Sequence, residues 1–178
     1  DYMEIGTEKM VFLEKAPAIM ACDNGVWYAY TTNVYHIRDE GGELLFTCPL
    51  DVPENANLQE TKIFSADRYT YVFYSYSIRT EEGAAFAIGY MVLEEDGIVW
   101  SGVLASENVC LQEICALIPV KKNTVSIVGR YQENADDDEI RYGIFTLNGK
   151  TGNVILTSEV DGTNQMELYA FAEADALF

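Results

Sequence analysis

The chain has 178 residues, 49% of them hydrophobic, with 29 acidic side chains against 11 basic ones and a formal charge of −18. Its length and apolar content suit one globular domain with a real core and exclude a disordered chain. The charge argues against a binder of nucleic acid or of anionic membranes, both of which need cationic surface. No apolar run reaches the roughly 18–20 residues that span a bilayer.

In chain order, the first strand-like run is GTEKMVFLEKAP (6–17), which parallels the later GGELLFTCPLDVP (41–53). Four short runs follow: PAIMACD (17–23), GVWYAYTT (25–32), NVYHIRDEGG (33–42) and ELLFT (43–47). The next four are ETKIFSAD (60–67), RYTYVFYSYSI (68–78), IGYMVLEEDG (88–97) and IVWSG (98–102). A third set comprises EICALIPV (113–120), NTVSIVGRYQ (123–132), YGIFTLNGKTG (142–152) and NVILT (153–157). The tail QMELYAFAEADALF (165–178) reads as the opening strand of a further set. Each run is rich in β-branched and aromatic residues and is bounded by turn residues. In RYTYVFYSYSI, Tyr69, Tyr71 and Phe73 point to one side, and Val72, Tyr74, Tyr76 and Ile78 to the other. Both faces are apolar, so this strand is expected to be covered on both sides.

The sets recur at a fixed period. Gly42, Gly97 and Gly152 are 55 residues apart, and Gln59, Gln112 and Gln165 are 53 apart. The expected units are 17–54, 58–107, 111–162 and a partial unit 164–178, within a single all-β repeat domain (1–178) or a fragment of a larger one. The expected fold is all-β: tandem four-stranded antiparallel meanders forming a β-propeller or partial propeller, with a β-sandwich as the alternative. The hairpins EDGIVWSG and GKTGNVIL resemble those of kelch-like and quinoprotein-like propeller blades, a resemblance of architecture that extends over residues 17–178. It implies stacked blades, with further strands supplied by a longer protein or by neighbouring chains, since four blades of this length need about 220 residues.

Chemical signals are sparse. GKT (149–151) is not a phosphate loop, because Ile144 stands where the motif needs glycine and a strand follows where it needs a helix. It reads as a hairpin turn. In ENADDDE (133–139), Asp136, Asp137, Asp138 and Glu139 supply the oxygen ligands calcium takes, although a solvated loop is the preferred reading and no other cofactor is expected. The single histidine, His36, lies in an alternating strand. There is no CxxC pair for zinc, no GxSxG, and no cysteine with an evident base partner, so no catalytic residue is assigned. Cys22, Cys48, Cys110 and Cys115 are expected to be buried or half-buried thiols. Among the aromatics, Trp27, Tyr30, Tyr74, Tyr76 and Trp100 are candidates for a sugar- or peptide-stacking platform, against the alternative that they fill space between sheets.

These features favour a non-enzymatic recognition or scaffold module that binds protein or glycan. The alternatives are a structural subunit of an extracellular, filament or virion assembly completed by neighbouring copies, and a portion of a propeller-type glycan hydrolase or lyase. The acidic, lysine-poor composition leans towards an extracellular or virion-surface setting.

Overall fold

The computed structural model describes residues 2–4, 10–12, 18–22, 25–38, 41–66, 68–81, 83–94, 97–121, 124–135, 137–160, 170–171 and 176–177. Gln165, most of the expected partial unit 164–178 and most of the run 6–17 lie outside them. Among the described residues every regular element is a strand. A short pair, β1 (Tyr2–Glu4) and β2 (Met10–Phe12), comes first. The first large sheet follows, with β3 (Ala18–Cys22), β4 (Gly25–Tyr30), β5 (Asn33–Arg38) and β6 (Leu44–Pro49). The second holds β7 (Ala56–Ala66), β8 (Tyr69–Thr80), β9 (Gly83–Glu94) and β10 (Gly97–Val103). The third holds β11 (Cys110–Lys121), β12 (Thr124–Gln132), β13 (Arg141–Asn148) and β14 (Val154–Val160). A last pair is β15 (Ala170–Phe171) with β16 (Ala176–Leu177).

Each large sheet is an antiparallel meander whose strands lie in sequence order. The all-β class and the tandem four-stranded meanders expected from the sequence are thus present. The three sheets share irregularities. In each, the outermost strand carries a bulge against its neighbour, at Leu45, Val99 and Thr157. In the second and third sheets the first strand is also bulged, at Gln59 and Gln112, both within the tripeptide Leu-Gln-Glu. Bulges increase local twist and bend the strand that carries them.

The second sheet is the middle layer. One face packs Val72, Tyr74, Tyr76, Met91 and Leu93 against Trp27, Ala29, Val34, Cys48 and Leu50 of the first sheet and its following loop. The other packs Tyr71, Phe73, Ile88, Tyr90 and Val92 against Ile114, Ile127, Tyr131, Phe145 and Leu147 of the third. Strand β8 is accordingly covered on both sides, and Tyr71, Val72, Phe73 and Tyr74 are all buried. Gly89, paired with Tyr74, lets that ring lie flat over the backbone, since a Cβ there would sit 2.2 Å from a ring carbon. The first strands of the three large sheets touch in series, β3 meeting β7 and β7 meeting β11, and β11 also meets β15.

Candidate functional site

Strands β8 and β9 are twelve residues each, and their shared hairpin runs past the covered part of the sheet. Apart from Phe86, the first half of β9, Gly83–Ala87, carries only small side chains and is exposed or half-buried, whereas Ile88–Leu93 is buried. A strand of alanines cannot reach the neighbouring sheet. The gap it leaves is a cleft of about 540 Å³ between the second and third sheets. Ala84, Ala85 and Phe86 form one wall, Val103–Ser106 a second, and Cys110–Gln112 with Gln132 a third. Ile88 and Val154 form its buried floor, while Phe86 and Val103 stand exposed at its rim.

Two amides supply its polar specificity. Gln112 Nε2 donates to Gln132 Oε1 at 2.7 Å, and Gln132 Nε2 donates in turn to the carbonyl of Asp137. The bulge at Gln112 sets this side chain, and the chain of bonds ties the cleft to the acidic loop 133–139. In that loop Asp137 Oδ1 accepts from the Glu139 backbone N–H at 3.0 Å. Arg141 forms ion pairs with Glu133 and Glu139. These carboxylates therefore already have protein donors. Asp136 lies outside the described residues, and among the described ones no group of three or more His, Cys, Asp or Glu side chains is placed to hold a metal ion.

The five aromatic candidates do not converge. Trp27, Tyr74 and Tyr76 are buried between the first two sheets. Trp100, half-buried, packs on Tyr69 with ring centroids 6.0 Å apart and faces the 148–152 turn. Tyr30 is half-buried beside the β4–β5 turn. None of the five lines the cleft. The cleft residues carried no chemical motif; a run of alanines within a strand is a signal of missing packing volume and can be read only once the strand's neighbours are known.

One pairing was not visible in the sequence motifs. The Cys22 Sγ lies 3.6 Å from His36 Nε2 and donates to the Gly25 carbonyl at 3.2 Å. The registers Cys22↔Gly25, Met20↔Trp27 and Trp27↔His36 put Cys22 and His36 on one face in adjacent rows. Gly25 presents no side chain between them. The imidazole is 1% exposed and stacks on the Trp27 indole at 4.2 Å and 9°. The hairpin lengths held this information, whereas counting histidines did not. All four cysteines are buried or half-buried, and no disulfide joins them.

The second and third sheets also share a polar clamp. Lys62 Nζ is 2.5 Å from Glu113 Oε1, and Arg130 donates to Glu113 Oε2 at 2.9 Å. Burial alone would raise the Glu113 carboxyl, but hydrogen bonds and charge from Lys62 and Arg130 outweigh it and hold the group below its ordinary value. Among the described residues no helix is long and apolar enough to cross a membrane. Comparison with protein-family models and with curated proteins finds no match for the chain.

Proposed function

We propose that the chain is a non-enzymatic recognition module, a propeller-like stack of sheets whose cleft takes an apolar segment of a basic protein partner. The cleft between the second and third sheets carries this reading. Its volume falls in the range of ligand sites, and small apolar side chains stand there beside two oriented amides. Charge selects the partner. The chain carries −18, and Glu133, Asp138 and Glu139 are exposed on the loop that lends Ala135 to the cleft. Lysine or arginine flanking an apolar anchor would be drawn to this side. The serial contacts of β3, β7 and β11 accord with a propeller-like arrangement, in which first strands adjoin one another around an axis.

The test is a displayed peptide library panned on the wild-type chain, with an Ala84→Trp variant that fills the cleft and an oligosaccharide array alongside. Peptides with an apolar centre and basic flanks are expected to bind the wild type and to lose at least tenfold in affinity on the filled variant. Binding that ignores Ala84→Trp, or enrichment of glycans alone, would remove the proposal.

A further inference from the structure

We propose that Cys22 is a reactive thiol, with His36 as its proton acceptor, that takes up small neutral electrophiles and hydroperoxides. Three features of the first sheet support this. The thiol is half-buried at the end of β3, within reach of a small reagent. The imidazole is held in place by burial and by its stack on Trp27, with Nε2 3.6 Å from the sulfur. Once the proton has moved, the imidazolium beside the sulfur stabilises the thiolate. Gly25 completes the geometry. A Cβ at that position would stand 2.1 Å from the Ile37 carbonyl oxygen, so the close approach of β4 to β5 beside this pair requires glycine.

The chemistry balances simply. The Cys22 S–H turns from the Gly25 carbonyl to His36 Nε2, the unprotonated nitrogen of the neutral ring, and gives it the proton. With a haloacetamide, the S–C bond forms as the carbon–halogen bond breaks; halide leaves and the imidazolium releases its proton to water. With a hydroperoxide, the S–O bond forms as the O–O bond breaks. The departing oxygen takes the imidazolium proton, so the sulfur is oxidised to a sulfenic acid while the peroxide is reduced to water or an alcohol. The other thiols are poorer nucleophiles by position. Burial pushes Cys48 and Cys115 up to about 11, so both remain protonated at neutral pH.

Site-resolved alkylation tests the proposal. The intact chain is treated with iodoacetamide at pH 7, and each cysteine's labelling rate is read by peptide mass spectrometry. Cys22 is expected to react on the order of tenfold faster than the similarly half-buried Cys110, and to be the residue trapped by dimedone after hydrogen peroxide. His36→Asn is expected to reduce the Cys22 rate about tenfold while Cys48 stays unlabelled, which shows that the core remains closed. If His36→Asn exposes Cys48, His36→Gln is read in its place. A Cys22 rate no greater than that of Cys110, or one unchanged by the His36 substitution in a closed core, overturns the proposal.

Discussion

The middle sheet meets its two neighbours in different ways. Towards the first sheet the junction is a layer of apolar and aromatic side chains, with Trp27, Val34 and Cys48 set against Val72, Tyr74 and Met91. The loop that follows the first sheet turns back on that sheet, where the Leu50 N–H donates to the Thr32 carbonyl at 2.7 Å. Towards the third sheet an apolar layer is again present, with Tyr131 and Phe145 edge-to-face at 5.6 Å. Here the connecting segment crosses over: Ala105 donates to Gly152 O at 3.0 Å, and its own carbonyl accepts from Val154 at 2.9 Å. The ion-paired clamp of Lys62, Glu113 and Arg130 adds a second tie. Apolar burial is enough to stack two such sheets. A hydrogen bond between the Tyr74 hydroxyl and the Asp51 backbone adds one polar contact at the first junction, whereas the ion-paired clamp and the strand crossover both lie at the junction that keeps an open cleft.

Removal of one aromatic from each junction is the strongest way to break this comparison. Phe145 is fully buried between the second and third sheets, and Trp27 is 3% exposed between the first and second. Truncation of either to alanine is expected to cost about 3–5 kcal/mol in urea unfolding, from lost transfer energy and the cavity left behind. The junctions should then separate in native-state hydrogen exchange. Trp27→Ala is expected to speed exchange in β4 and β5 while β12 and β13 stay protected. Equal acceleration in all four strands would show that the stack opens as one unit.

A smaller effect distinguishes glycines that the sequence treats as equivalent. Gly42 and Gly152 fall between the third and fourth strands of their sheets, and Gly97 opens the fourth strand of its own. Gly152 has a φ of +72°, and a Cβ on it would come 2.6 Å from Tyr90 Cε1 and 2.7 Å from Val103 O. Gly97 has no positive φ and open space around it. Gly152→Ala should therefore cost about 2–4 kcal/mol, combining left-handed backbone strain with overpacking against the second sheet. Gly97→Ala should stay within about 0.5 kcal/mol. Similar costs would mean that the 148–152 turn does not seat on Tyr90.

The glycine comparison also marks how far the sequence could be read. Strand alternation is local, so the meanders and the double burial of β8 were legible in runs such as RYTYVFYSYSI. What lies across a gap between sheets was not. Lys62 and Glu113 are 51 residues apart and meet only because β7 and β11 adjoin. Cys22 and His36 depend on two successive hairpin registers, which no local run displays. The cleft depends on how far the β8–β9 hairpin extends beyond its neighbours, which composition does not encode. The aromatic residues were visible as a set, but their burial is decided by which face each sheet turns inward.

The smallest of the three effects tests the clamp itself and has a definite sign with pH. Lys62, Glu113 and Arg130 are each about three-tenths exposed, so their pairing is only partly screened by solvent. Glu113→Gln leaves two cations sharing one weaker acceptor and is expected to cost about 1–3 kcal/mol at pH 7. Because the folded-state pKa of Glu113 is depressed, its contribution is complete above the ordinary glutamate value of about 4.5. It fades as pH falls below that value and through the folded one, where the carboxyl protonates in both states. Lys62 behaves in the opposite sense: burial works to lower its pKa, but the pairing with Glu113 raises it, so its share is lost only as pH climbs past the usual lysine range. The urea midpoint of wild type minus that of Glu113→Gln, measured from pH 3 to 7, cancels the titration of the many other carboxylates. A difference that shrinks towards acid assigns the tie to this clamp. A difference that is flat with pH means that the third sheet is held by its apolar layer and by the Ala105 crossover, and that the two junctions are energetically alike.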